Sequence, residues 1–198
     1  MQDKLSTSFY TNEDVVQVAR DLIGCHLYTQ INGVLTGGII VETEAYNGRT
    51  DRACHAFPGK KTPRTSVMYE QGGVAYVYFV YGMHYLFNIV THKEGFADAV
   101  LIRAVEPIEG IDEMMRRRGK NVNSKLLTGG PARLSEALGI DKAINGLTLS
   151  GNTIWLEKPT ENTLFEIGVS PRIGVDYAGE DAKLPWRFYI IGNKFVSK

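Results

Sequence analysis

The sequence predicts one mixed α/β domain, on three observations. Residues 26–46, 75–88 and 99–105 are strand-like, rich in β-branched and aromatic residues and bounded by turn residues. Residues 13–23, 107–118 and 131–138 instead carry apolar residues at helical spacing between capping residues. No internal repeat, low-complexity tract or linker divides the 198 residues, so 1–198 is expected to be a single domain. A chain of that size buries roughly 70% of the surface its unfolded form exposes.

The elements follow in order. Thr11 and Asn12 are good caps for 13–23, where Val15, Val18, Ala19, Leu22 and Ile23 recur at helical spacing and Gly24 is placed for a left-handed stop. Residues 26–46 read as two strands joined at Asn32-Gly33, a pair suited to a tight hairpin. Residues 47–68 are polar, with Gly, Pro and basic residues, and form a long ordered loop, more often functional than not in a compact domain. The stretch AYVYFVYGMHYLFN (75–88) reads as a second hairpin with Tyr81 at or beside its tip. Val77, Phe79 and Leu86 are assigned to the core, and Tyr76 has no assigned role. After a strand at 99–105, a helix is predicted over 107–118, with Pro107 in its first turn, Ile108, Ile111, Met114 and Met115 as its apolar residues, and Gly119 after it. Its closing Arg116, Arg117 and Arg118 suit the negative end of the helix dipole or a DNA contact. Residues 119–130, with Lys120 and Lys125, form a polar connection, and GGPARLSEALG then reads as a glycine loop, a proline-started helix and a glycine stop. Short strands fill the remainder, the last around 186–191.

Lys and Arg number 22, as do Asp and Glu, so a nucleic-acid partner would need positive charge gathered on one face. The first ten residues have no apolar core of a signal peptide, and Gly, Asn and His interrupt the longest apolar run well short of the ~18 residues of a membrane span. Cys25 and Cys54 fit a reducing compartment better than a disulfide framework, so the expected location is cytoplasmic. The steps Cys25-His26 and Cys54-His55 lack the paired spacing of a zinc site, and no metal or cofactor is expected.

The strand GGIIVETEAY carries the most chemistry. Strict alternation puts Ile40, Glu42, Glu44 and Tyr46 on one face, with the two carboxylates ~6.6 Å apart along the strand. Such a pair suits attack by water on an acetal-like carbon, where one acid takes a proton and negative charge stabilises the developing oxocarbenium ion. An edge strand with two solvated glutamates fits the same pattern. Tyr46 adds a flat surface on which a ring could stack. His55 is catalytic or structural. Lys60, Lys61 and Arg64 lie in a loop that contacts phosphate or is simply solvated, and the same choice covers Gly129, Gly130 and Arg133 at a glycine-led helix start. Arg103, inside the apolar AVLIRAV, requires a partner, and Glu44 or Glu42 is the natural one.

VETEAY, the His55 loop with TPR, YVYFVYGMHYLFN, VLIRAVEP, GPARLSEALGI and KLPWRFYIIG together resemble the alkyladenine (3-methyladenine or methylpurine) DNA glycosylase family, in the family's order and over nearly the whole chain. The resemblance implies an α+β domain with a curved antiparallel sheet flanked by helices, a protruding β-hairpin and no metal. By position, Glu44 matches the general base that activates water at the anomeric carbon. Tyr46, His55 and Tyr78 match side chains enclosing a flipped base, and Asn88 matches the residue that rejects guanine through its amino group. Tyr81 matches the wedge that fills the gap in the duplex. Arg103 matches a residue close to both the acid and the DNA backbone, and Met83, Lys60 and Arg64 are assigned with it to DNA binding. The implied substrates are alkylated or deaminated purines (3-methyladenine, 7-methylguanine, hypoxanthine and ethenoadenine) in double-stranded DNA. No lysine matches a Schiff-base nucleophile, so a monofunctional, monomeric enzyme leaving an abasic site is expected. His84 stands where an aromatic can occur in relatives.

Two other classes share some of these residues. A nucleic-acid-binding module without chemistry has no need of an acid facing the pocket. Hydrolysis of small sugars or nucleosides uses Glu42 and Glu44 but leaves Tyr81 and the basic loops unexplained.

Overall fold

The computed structural model describes residues 4–119, 124–159 and 165–197; Lys120 lies outside them. The strands are β1 (His26–Ile31), β2 (Val34–Tyr46), β3 (Ala75–Val80), β4 (His84–Thr91), β5 (Asp98–Glu109), β6 (Ile154–Glu157), β7 (Ile167–Ser170) and β8 (Arg187–Ile190). They form a curled antiparallel sheet in the order β3-β4-β5-β2-β1-β6, with β8 pairing both β2 and β7. Helices α1 (Thr7–Tyr10), α2 (Val15–Asp21), α3 (Ile111–Arg118) and α4 (Pro131–Leu138) accompany the sheet. The α+β class expected from the sequence is the one observed.

β2 organises the sheet because it is long enough to serve three neighbours. β5 runs along one side of it, while β1 pairs with 34–39 and β8 with 42–44 on the other. The β1–β2 loop has both central residues at positive φ, Asn32 at 53° and Gly33 at 79°, the backbone that Asn-Gly accepts at little cost. Gly38 lets β2 approach β5 closely, since a Cβ there would lie 2.7 Å from the Glu106 carbonyl oxygen. Where β1 gives way to β8, the register shifts: Ile40 pairs with Val105 and Glu42 with Ala104, leaving Val41 as the extra residue of a β-bulge. Strict alternation therefore fails here. Ile40, expected beside the two acids, joins Val41 in the main apolar core.

Beyond the bulge the two faces of the sheet separate. Thr43 and Ala45 point one way, where the Thr43 hydroxyl donates to the Ala19 carbonyl of α2 (2.7 Å) and Ala45 meets the main core of Val77, Phe87, Ile89, Val100 and Ile102. The alternate residues of β2–β5 supply the opposite face, covered by the loop after β2 and by 171–178.

Several expectations need correction. The cap of α2 is Asp14, whose carboxylate accepts from the Val16 and Gln17 amides; Asn12 instead accepts from the Asp14 amide, and Thr11 closes α1. Pro107 does not start a helix. It lies in β5 opposite Gly38, and α3 begins after Gly110, whose φ of 67° turns the chain out of the strand. Proline is tolerated there because the register to β2 is already irregular. Phe79 is not core: it is 52% exposed and rests on Tyr85. The arginines ending α3 are engaged in ion pairs, Arg116 and Arg117 with Glu113 and Arg118 with Glu136, which ties α3 to α4. Gly139 stops α4 at φ 69°, as read from the sequence.

Candidate active site

Register brings the principal site residues into one row. Glu44 on β2 pairs with Leu101 on β5, Leu101 with Asn88 on β4, and Asn88 with Tyr76 on β3. Neighbouring strands are spaced by ~4.8 Å, so residues separated by up to 57 positions (Glu44 to Leu101) become lateral neighbours. Two residues along each strand, Tyr46, Ala99 and Tyr78 extend the same face, and with Ile173–Val175 and His55 they enclose a pocket of ≈ 270 Å³. Tyr46, His55, Tyr78, Tyr81, Asn88 and Arg103 all line it. Glu44, Met83, Lys60 and Arg64 do not.

Glu44 is fully enclosed, and its three hydrogen-bond partners form the wall between it and the pocket. Its Oε2 accepts from the Tyr46 hydroxyl (2.7 Å) and from Arg103 Nη1 (3.2 Å), and its Oε1 accepts from the Ile173 amide (2.8 Å). A carboxylate oxygen can accept two hydrogen bonds, so Oε1 retains one acceptor position beyond the amide. The Tyr46 phenol is pushed up by burial and by the adjacent Glu44 charge, which keeps it a donor.

The second acid has a different environment. Glu42 Oε1 accepts from Arg103 Nε (3.1 Å), Arg187 Nε (2.7 Å) and the Ser197 hydroxyl (2.8 Å), and its Oε2 from the Ser197 amide (2.7 Å). The edge-strand alternative, with two solvated glutamates, is excluded. Glu42 anchors Arg103 from behind, and Arg103 spans both acids, so each of the two candidate partners named from the sequence is a partner.

Asn88 is held between two strands and donates from Nδ2 to the Tyr76 carbonyl (3.1 Å), which fixes the orientation of its amide in the pocket floor. His55 stands at the mouth with its ring against Tyr78 (centroids 4.6 Å) and its Nδ1 3.1 Å from the Tyr76 hydroxyl. Arg64 donates to His55 Nε2 (3.3 Å) and lies over the Tyr78 ring (5.1 Å). Although the outer edge of His55 is solvent-exposed, burial of the ring and then the Arg64 charge lower it from its ordinary 6.5 to about 4. The imidazole is therefore neutral near pH 7.

Tyr81 occupies the β3–β4 turn, 89% exposed and with φ 53°. It lies between the pocket and an adjoining hollow of ≈ 650 Å³ bordered by Arg103, Lys125, Arg133 and Lys194. Met83, also exposed, follows it at the tip. Lys60 sits on the outer surface of the loop and Lys61 over the Tyr69 ring (5.5 Å), so of this basic group Arg64 is the one brought to the aromatic wall.

Sequence reasoning missed Tyr76, Ile173 and Tyr177, as well as the buried pair Arg172–Asp51 behind the wall. Alternation with Tyr78 was a usable signal for Tyr76. No local pattern marks Ile173, Arg172 or Tyr177, which reach the site from more than 120 positions along the chain (Ile173 is 129 positions from Glu44).

A family profile described as methylpurine-DNA glycosylase matches residues 8–194. The chain is 45% identical over 201 residues to a protein of Clostridium acetobutylicum, covering 98% of this chain and 97% of that relative. It is 45% identical over 201 residues to one of Desulfitobacterium hafniense (98% of each chain). It is 46% identical over 188 residues to one of Chlamydia felis (94% of this chain, 95% of the relative). All three carry the provisional name 3-methyladenine DNA glycosylase.

Proposed function

The chain belongs to the methylpurine-DNA glycosylase family, DNA repair enzymes that hydrolyse N-glycosyl bonds, and from that premise we propose how its residues divide the work. The substrate is an alkylated or deaminated purine of the 3-methyladenine, 7-methylguanine, hypoxanthine and ethenoadenine class, flipped out of double-stranded DNA. A duplex hides its glycosidic bonds, so the nucleotide must leave the stack before water can reach C1′. Tyr46, His55 and Tyr78 enclose the extruded base, and electron-rich rings favour the cationic bases made by alkylation. Asn88 stands in the floor where it meets the base edge and excludes the guanine amino group. Tyr81, with Met83 beside it, enters the minor groove and replaces the missing base. Arg64, Lys60 and Arg103 serve the DNA backbone.

Glu44 takes a proton from the attacking water. The water is placed at Oε1, the oxygen with an acceptor position to spare, and one member of the wall must yield to admit it. Arg103 holds Glu44 in place, with Glu42 steadying Arg103. The products are a free base and an abasic site, with no strand cleavage, and the enzyme acts as a monomer.

One observation supports this reading most directly: a buried carboxylate stands directly behind an aromatic pocket and is tied to it through Tyr46, Arg103 and Ile173. Glu44→Gln should lower single-turnover release of hypoxanthine or an alkylpurine by about 10²–10⁴-fold, the span of general-base catalysis, while damaged duplex still binds. Unchanged excision would sink the assignment of Glu44. A panel of lesion-bearing duplexes scored for base release and for nicking tests the substrate class and the absence of lyase activity.

A further inference from the structure

Arg172 and Asp51 form an ion pair with neither side chain exposed to solvent. Arg172 Nη2 donates to Asp51 Oδ1 (2.8 Å) and to the Asp181 carbonyl (3.0 Å), while Nη1 reaches Asp51 and the Ala45 carbonyl (2.8 Å). The guanidinium lies over two rings, Tyr46 (4.8 Å) and Trp186 (5.2 Å). Three separate segments therefore meet on one side chain: β2 at Ala45, the loop after it at Asp51, and the turn at Asp181.

A buried ion pair is a poor device for stability, because desolvation offsets most of its attraction and apolar replacements are often neutral or better. It does fix geometry. A guanidinium presents its donors in a rigid plane and stacks on aromatic rings, so it sets the neighbouring groups at defined distances and angles. Those neighbours matter here. The residue after Arg172 is Ile173, whose amide donates to Glu44 Oε1, and the ring beneath Arg172 is Tyr46, whose hydroxyl donates to Oε2.

We propose that Arg172, locked by Asp51, is a positioning residue for Glu44: it sets two of the three groups that hold and screen the carboxylate. It touches neither substrate nor the reacting atoms. This inference rests on Glu44 being the base, and it adds that the orientation of that base is set from a segment 129 positions away in sequence. Lysine cannot reproduce the arrangement, having no plane and no fork.

The test compares Arg172→Lys, Asp51→Asn and Glu44→Gln in the full chain below their measured melting temperatures. The readouts are single-turnover excision and affinity for a duplex carrying a tetrahydrofuran abasic-site analogue. Arg172→Lys should lose about 10²-fold in excision rate, as a displaced reacting group does, with affinity for the analogue unchanged; Asp51→Asn should lose rate in the same sense. A purely structural staple would instead lower melting temperature, binding and rate together, and that result overturns the proposal. So does a wild-type rate in both variants while Glu44→Gln is inactive. If Glu44→Gln itself retains the wild-type rate, the assignment of the base has failed, which is a separate outcome. Should Arg172→Lys not fold, Asp51→Asn alone decides by the same two readouts.

Discussion

Arg64 has only donors to offer, so the His55 nitrogen it contacts must be the one that bears the lone pair. The proton of the neutral ring then sits on Nδ1 and is donated to the Tyr76 hydroxyl, whose own hydrogen is free to face the pocket. This assignment follows from the partners, and it has a pH consequence. The folded value, about 4, lies below the ordinary 6.5, so the unfolded chain binds the proton more readily. The neutral ring's contribution to folding is complete above pH 6.5 and is lost as pH falls towards 4. An NMR titration of the His55 ring should show Nδ1–H and no midpoint between pH 5.5 and 8, and Arg64→Ala should raise the midpoint by removing the cation. A wild-type midpoint near 6.5 would contradict the packing described for this ring.

The β3–β4 hairpin and β2 show what one element can impose. In the hairpin, Val80 pairs with His84, which leaves Tyr81, Gly82 and Met83 as a three-residue loop with positive φ at its first two positions. A left-handed conformation costs a non-glycine residue roughly 1–2 kcal/mol, and Tyr81 makes no compensating burial within the chain. Its position is better accounted for by an external partner. Tyr81→Ser should weaken capture of the flipped state on damaged duplex by about 10- to 100-fold, the ~1–3 kcal/mol of an aromatic–base stack, and leave the melting temperature unchanged. Equal losses on damaged and undamaged duplex would argue against a wedge. In β2, the bulge at Val41 coincides with the change of neighbour from β1 to β8. That change lets a strand begin as core and end with two enclosed acids, one anchored to Arg187 and Ser197 and the other set behind the pocket.

Across the whole molecule, the sheet buries apolar residues on one face and builds the pocket on the other, so the pocket residues inherit the rigidity of the core behind them. Charge is likewise distributed rather than abundant. Formal net charge is zero, yet Arg103, Lys125, Arg133 and Lys194 border the hollow beside Tyr81. Each phosphate neutralised by such a group contributes about −0.9 to the slope of log K against log salt. Lys194→Ala should therefore reduce the slope measured by fluorescence anisotropy by about 0.9, and weaken binding equally for damaged and undamaged duplex. An unchanged slope would remove Lys194 from the DNA path.

The sequence by itself determined the helix and strand types, the two hairpins and the α4 stop, and it singled out Glu44, Tyr46 and Arg103 as candidates, because periodicity, turn chemistry and the cost of an unpaired buried arginine are local or nearly local constraints. It misplaced the start of α3, since Pro107 suits an irregular strand as well as a helix start, and it placed Phe79 inside, since alternation marks a face without saying whether anything covers it. The tertiary structure alone decided which glutamate is anchored and which stands behind the pocket, that Tyr76 joins His55, that Ile173 closes on Glu44 and that Arg172 packs over Tyr46. Those outcomes depend on which strands become neighbours and which distant segment packs over them. Such contacts are selected by the free energy of the assembled core, and no short stretch of the chain contains them.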